Sequence, residues 1–281
     1  MPHNESFYQT HDGQKLHLQS WTPEKEPKAA VLIIHGLAEH SGRYAHLAKN
    51  LNESGYAVHT FDGRGHGKSS LPKPTAYFSN MDDYLEDVDG IFQEMQASAG
   101  KLPCFLFGHS MGGGITVHYA LKYRPQVNGI LLSGAALAPG DDISPFLMKM
   151  SKVLSVLTPK LKVMQLDETK LSRDPEVIAR HRADALIYRE KIPARTGAEL
   201  LRTINYIQPR MQDFDYPVLI MHGTADVLTN VAGSKLLYER ASSTDKTLKL
   251  YEGFYHEIVN ELGKDQVMSD MIEWMDARIS E

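Results

Sequence analysis

A serine hydroxyl is a weak nucleophile at neutral pH and becomes a strong one only beside a base that a third group orients. The stretch Gly108-His109-Ser110-Met111-Gly112 sets one serine between two glycines. It matches G-x-S-x-G, in which the serine occupies a sharp strand-to-helix turn that exposes its Oγ. The flanks fit that context, with apolar "CFLF" before the turn and helix-like "GGITVHYALKY" after it. A turn this tight leaves no room for neighbouring β-carbons, which is what the glycines supply. A glycine-rich turn with an incidental serine is the bland alternative, and the strand before it and helix after it argue against that. Ser110 is the candidate nucleophile.

Its partners follow such a serine in the order acid, then histidine. Of 13 histidines, only His256, in "YEGFYHEIVNE", comes after Asp226. It lies just past the apolar run "TLKLYEG", where a loop carries it across the C-terminal edge of a sheet. Asp226 closes "PVLIMHGTAD", beyond another apolar run. A carboxylate there holds the imidazole tautomer and stabilises the imidazolium. Asp213 and Asp215 precede that run and so sit at its wrong end, while Asp245 falls in the polar "SSTDKT", where solvation is expected. The oxyanion donors are backbone N–H groups: that of Met111, after the nucleophile, and that of Leu37, in the turn after "VLIIHG".

These residues need strand ends to carry them. "AAVLIIHG", "YAVHTFDGRG", "CFLFGHS", "GILLSGA", "PVLIMHGTAD" and "TLKLYEG" are continuous apolar runs ending in turn signals, as in strands covered on both faces. "QKLHLQSW" alternates, as an exposed antiparallel strand does. Helical periods lie between: Tyr84, Leu85, Val88, Ile91, Phe92 and Met95 share one face, as do Val267, Met271, Ile272, Met275 and Ile279. The alternation predicts an α/β fold with a mostly parallel central sheet flanked by helices. From Pro139 to Asp213 the alternation stops and only helical patterns appear. Ile143, Phe146, Leu147, Met150, Val153, Leu154 and Leu157 form an apolar stripe there, between Pro139 and Pro159. The expected organisation is a catalytic domain over 1–138 and 214–281, with an all-helical cap inserted over 139–213, before the last two strands.

The 281 residues carry a net charge of −5, which gives no reason to expect nucleic acid as a partner. One cysteine, Cys104 within "PCFLF", excludes an intramolecular disulfide and reads as a small buried hydrophobe. The N-terminus lacks a basic start followed by an apolar stretch, and no window approaches the ~18 apolar residues of a membrane span. A cytoplasmic location is expected, with contact at a membrane surface left open. "DGRGHGKS" resembles a phosphate loop, but Asp62 stands where that motif requires glycine, and Lys68 breaks G-x-G-x-x-G. It reads as a turn after a strand. "HGLAEH" and "GHG" lack metal-ligand spacing, so no metal and no cofactor are expected.

Taken together, "HGLAEHSGRY" (35–44), "DGRGHGKS" (62–69), "GHSMGG" (108–113), "GTAD" (223–226) and "DKTLKLYEGFYHE" (245–257) resemble the monoacylglycerol lipases of the α/β-hydrolase fold. The resemblance implies Ser110 as nucleophile, His256 as general base, Asp226 as its orienter, and Leu37 and Met111 as oxyanion donors. It also places Glu39 and Arg43 near the site, either orienting the glycerol end or forming a structural ion pair beneath it. Position 37 is leucine where some relatives carry alanine, which narrows the pocket near the head group. The activity implied is hydrolysis of monoacylglycerol to fatty acid and glycerol through an acyl-enzyme, with lysophospholipase or broad carboxylesterase as the alternative. A non-catalytic ligand-binding member of the fold would have lost a triad residue, and none is lost. Epoxide hydrolases and dehalogenases need a carboxylate at position 110. In the cap, Phe146, Leu147 and Met150 either pack on the sheet domain or line the acyl tunnel and its mouth. In the second case they touch a lipid surface, with Lys149 and Lys152 near the head groups.

Overall fold

A computed structural model describes residues 2–139 and 153–279. Its centre is an eight-stranded sheet in the order β1-β2-β4-β3-β5-β6-β9-β10. The strands are β1 (His3–Gln9), β2 (Lys15–Trp21), β3 (Ala29–Ile34), β4 (Tyr56–Phe61), β5 (Cys104–His109), β6 (Gly129–Ser133), β9 (Val218–Gly223) and β10 (Lys246–Tyr251). β2 pairs antiparallel with β1 and β4, and every other pairing in this sheet is parallel.

The period of two along β3 shows why the apolar runs are continuous. Ala30, Leu32 and Ile34 face one layer, with α2 (Met81–Ala99) and α3 (Met111–Tyr123), while Ala29, Val31 and Ile33 face the other. That second layer holds α1 (Ala45–Glu53) and the C-terminal helix over Lys264–Asp276. All six β3 residues are buried, each large one worth about 1.5–3 kcal/mol in transfer terms. The helical faces read from the sequence are the buried ones: Tyr84, Leu85, Val88, Ile91, Phe92 and Met95 on α2, and Val267, Met271 and Met275 on the last helix. Cys104 is buried in the first layer.

Three expectations are corrected. β2 is not an exposed strand: it lies between β1 and β4, and Leu16, His17, Gln19 and Trp21 are buried. β10 is not covered on both faces: as an edge strand beside β9 it is half-exposed except at Tyr251. The inserted segment is not all-helical, since β7 (Lys162–Met164) and β8 (Ile192–Pro193) form a small antiparallel sheet. Strands this short offer no period for a sequence pattern to display.

The chain leaves the large sheet after β6 and rejoins it at β9. Between them the described residues include α4 (Pro175–Ala183) and α5 (Ala194–Ile207). α5 is docked firmly: Tyr206 stacks on His118 of α3, Glu199 accepts from the backbone N–H of Met81, and Ile207 joins the first core layer. α6 (Val231–Arg240) and α7, the Lys264–Asp276 helix, complete the sheet's flanks. Among the described residues no helix is long and apolar enough to cross a membrane.

Candidate active site

Parallel strands converge their C-terminal ends on one edge, and this edge is where ligands bind in open α/β sheets. Here it collects the turn after β3, Ser110 after β5, Asp226 after β9 and His256 after β10. Ser110 has φ 55° and ψ −119°, a backbone conformation that L-residues rarely adopt and that the turn imposes. The neighbouring glycine is required by space. A β-carbon on Gly112 would stand 2.1 Å from the carbonyl oxygen of Ile34 at the end of β3. The first turn of α3 is thereby pressed against the start of the 36–38 turn, whose Gly36 faces the Ser110 β-carbon.

The side chains close a relay. Ser110 Oγ lies 2.9 Å from His256 Nε2, and His256 Nδ1 lies 2.8 Å from Asp226 Oδ2. Because a carboxylate only accepts, Nδ1 carries the ring proton, and Nε2 is free to take the serine proton. Asp226 Oδ1 accepts from the backbone N–H groups of Leu228 (2.8 Å) and Thr229 (3.0 Å), and the Thr229 hydroxyl shares its one proton between Oδ2 and the Gly134 carbonyl, each at 2.8 Å. Burial opposes ionisation of Asp226, yet the His256 charge and the neighbouring His222 and His256 rings hold its carboxyl well below the usual carboxylate range. Burial likewise pushes His256 down, but the Asp226 carboxylate outweighs it and leaves the imidazole raised above its ordinary value. His256 is almost wholly buried, whereas Ser110 is half-buried and reachable.

His109, the residue before the nucleophile, packs its ring 4.7 Å from that of His256 and bonds through Nδ1 to the Ser133 carbonyl. Burial and the neighbouring His256 push it down to about 4, so it packs as a neutral ring. Glu39 and Arg43 form a buried ion pair. Glu39 Oε1 accepts from Gly36 N–H (2.6 Å) and from Tyr44 Oη (2.7 Å), and Oε2 pairs with Arg43 Nη1 (2.7 Å). Arg43 also clasps Glu257 with both terminal nitrogens, at 2.5 and 2.7 Å. The guanidinium holds both carboxyls below their ordinary range against the burial that would raise them. The Gly36 bond fixes the His35–Gly36 peptide, one before the peptide that carries the N–H of Leu37, the expected oxyanion donor.

Met111 is buried at the first position of α3, and Leu37 is half-buried against the inserted segment. Asp213 and Asp215 lie ahead of β9, away from the relay, with Asp215 paired to Arg124. Asp245, its side chain 43% exposed as expected of a solvated carboxylate, also pairs with Arg278. Phe146, Leu147, Met150, Lys149 and Lys152 lie outside the described residues. Sequence reasoning missed Thr229, His222 and Glu257. His222 stands four residues before Asp226 in "MHGTAD" and Glu257 directly follows His256, so adjacency to the triad was the available signal.

The family model described as serine aminopeptidase, S33, matches residues 25–263. The monoacylglycerol lipase of Mycolicibacterium smegmatis is 36% identical over 263 residues, covering 94% of this chain and 93% of that protein. The human monoglyceride lipase is 34% identical over 270 residues, covering 95% and 88%. The crystal structure of a monoacylglycerol lipase from Paleococcus ferrophilus superposes with a TM-score of 0.83 at 31% identity, covering 94% of this chain and 99% of that one.

Proposed function

The chain belongs to the serine aminopeptidase S33 family of α/β-hydrolases and is a serine hydrolase; from that premise we propose that it cleaves monoacylglycerol to a free fatty acid and glycerol. The observation that carries the chemistry is the unbroken relay from Ser110 through His256 to Asp226. Ser110 Oγ attacks the ester carbonyl carbon as His256 Nε2 takes its proton. The negative charge that develops on the carbonyl oxygen is met by the backbone N–H groups of Leu37 and Met111. The intermediate collapses, His256 returns the proton to the departing glycerol oxygen, and the acyl group stays on Ser110. Water, deprotonated by His256, then releases the fatty acid.

The likeness to monoacylglycerol lipases supports the substrate class. The domain division is 1–138 with 214–281 for catalysis, and 139–213 for the cap. Val153, Val156 and Leu157 continue the apolar stripe of the cap and are exposed, followed by exposed Leu161 and Val163. An apolar run open to solvent suits a surface that meets aggregated lipid.

A series of 1-monoacylglycerols of rising acyl length, run beside lysophosphatidylcholine and a short soluble ester, tests the reading. An apolar acyl site gains roughly 0.8 kcal/mol per buried methylene, at most about fourfold in kcat/KM, until it is full. Monoacylglycerol should therefore outperform both comparators, increasingly with length. Preference for the lysophospholipid, or a rate indifferent to acyl length, would move the assignment to the lysophospholipase or carboxylesterase alternative.

A further inference from the structure

His222 belongs to no part of the reaction as described, yet it touches the catalytic acid. It lies on β9, wholly buried, with Nε2 3.1 Å from Asp226 Oδ2. This is the same carboxylate oxygen that binds His256 Nδ1. On its other side, His222 Nδ1 lies 2.8 Å from the hydroxyl of Ser234, a buried residue of α6. The two partners together assign the proton positions. Asp226 only accepts, so His222 Nε2 must carry a hydrogen; in the neutral ring Nδ1 is then bare and accepts from the Ser234 hydroxyl. Donors thus run in one direction, from Ser234 to His222 to Asp226.

We propose that His222 is a positioning residue for the serine-hydrolase reaction, holding Asp226 Oδ2 toward His256 and limiting the basicity of that oxygen. The inference rests on the triad reading above. The two backbone donors fix Oδ1, but Oδ2 is held by side chains alone: Thr229 Oγ1, His222 and His256. Without His222, Oδ2 keeps one flanking donor fewer and can swing about the Cβ–Cγ bond. Each donor also draws negative charge from the carboxylate, so His222 moderates how strongly Asp226 stabilises the His256 imidazolium. An ordinary core histidine can be satisfied by any nearby carbonyl. This one turns Nε2 toward the Asp226 carboxylate at 3.1 Å, with the Thr229 hydroxyl beside the same nitrogen at 3.4 Å.

The groups that bear on the outcome are few. His222 faces Asp226, the Thr229 hydroxyl (3.4 Å) and Ser234. His256 faces Asp226, Ser110 and the neutral His109 ring, and feels Glu257 and Glu39, which share the single positive charge of Arg43 and so still favour the imidazolium. Removing the His222 donor leaves Asp226 more basic, stabilises protonated His256 and so moves the acidic limb of the rate profile upward.

The test compares His222→Gln, which keeps an N–H donor, His222→Leu, which does not, and Ser234→Ala, which releases the ring to its other tautomer. The full-length proteins are assayed for kcat/KM on a short soluble ester across pH, with active sites counted by a fluorophosphonate probe. His222→Leu should lose about tenfold in kcat per labelled site and shift the acidic limb up by about half a pH unit or more, the usual scale for a hydrogen bond to a charged group. Ser234→Ala should shift in the same direction by less, and His222→Gln should restore the limb to its wild-type position. A destabilised but otherwise intact site would lose labelled enzyme without moving the limb. If His222→Leu does not fold, Ser234→Ala decides. A limb unmoved in His222→Leu, or in Ser234→Ala where His222→Leu does not fold, overturns the proposal. Failure of the wild-type protein to react with the probe would instead overturn the triad reading beneath it.

Discussion

Arg43→Met should be among the most damaging substitutions outside the triad. Arg43 is the sole cation bonded to two buried carboxylates among the described residues, Glu39 and Glu257, whose side chains are 7% and 3% exposed. Methionine fills much of the volume but leaves two negative charges facing each other out of water. Breaking a buried pair by removing one partner costs about 3–5 kcal/mol. For a chain of this size that is a fall in the melting midpoint of roughly 5–9 °C. The pH dependence follows from the direction of each shift. In the wild type both folded carboxyls are depressed, so their stabilisation is present above the unfolded value of ~4.3 and is lost as pH falls through the folded ones. In the variant, burial and mutual repulsion raise at least one carboxyl, so its deficit is largest at neutral pH and shrinks as acid neutralises it. Thermal melts of both proteins from neutral pH down to ~5 should therefore converge. A variant melting within about 2 °C of wild type at neutral pH would refute the reasoning, because the midpoint shift expected is several times larger.

Ser110→Ala should abolish fluorophosphonate labelling and lower ester turnover by about 10⁴–10⁶ while the melting curve stays intact. Asp226→Asn should cost on the order of 10⁴ in kcat by favouring the wrong His256 tautomer, and Asp245→Asn, which removes only the Arg278 partner, should leave kcat near wild type. A reversed ranking would transfer the acid role. The rate should rise with pH through the ionisation of His256, with the limb above the histidine reference of ~6.5 because Asp226 raises that imidazole. A limb at or below the reference under chemistry-limited conditions would contradict the Asp226 contact.

The three side chains of the candidate relay were legible because each sits beyond a strand end, and strand ends are what a sequence displays best. The same rule found β3, β5, β6 and β9, and the helical period found α2 and the last helix. It failed where burial does not write a pattern. β1 was overlooked because its side chains are nearly all exposed, and a hairpin strand without a buried face shows no apolar alternation. β10 was overread because an edge strand and a central one can share a composition while differing in what covers them. The polar support of the site was illegible for another reason. Arg43 and Glu257 are 214 residues apart, and nothing local in either segment announces the other.

The same long-range bonding explains how a site assembled from loops holds its geometry. The turn after β3, which holds the proposed oxyanion donor Leu37, carries Ala38 at φ 66°, a conformation unfavourable for a residue with a β-carbon. That conformation is held from the inserted segment: Tyr188 N–H donates to the Ala38 carbonyl (2.9 Å), and Asp184 accepts from His40 (2.7 Å). Leu37 and Ala38 also pack with Tyr188 and Ile192. The loop that carries the base is tied to the same segment. Glu257 N–H donates to the Leu171 carbonyl (2.8 Å), and buried Glu261 accepts both from Arg173 N–H and from Tyr255 N–H, at 3.0 Å each. Arg43 links the two loops from beneath through Glu39 and Glu257. Each such bond is worth only about 0.5–1.5 kcal/mol net, but displacing either loop would break several at once. The inserted segment is thus part of the scaffold that sets the distance between the proposed oxyanion donors and the proposed base. Donors fixed before substrate arrives need no reorganisation when charge develops, and that is the condition under which they lower a barrier most.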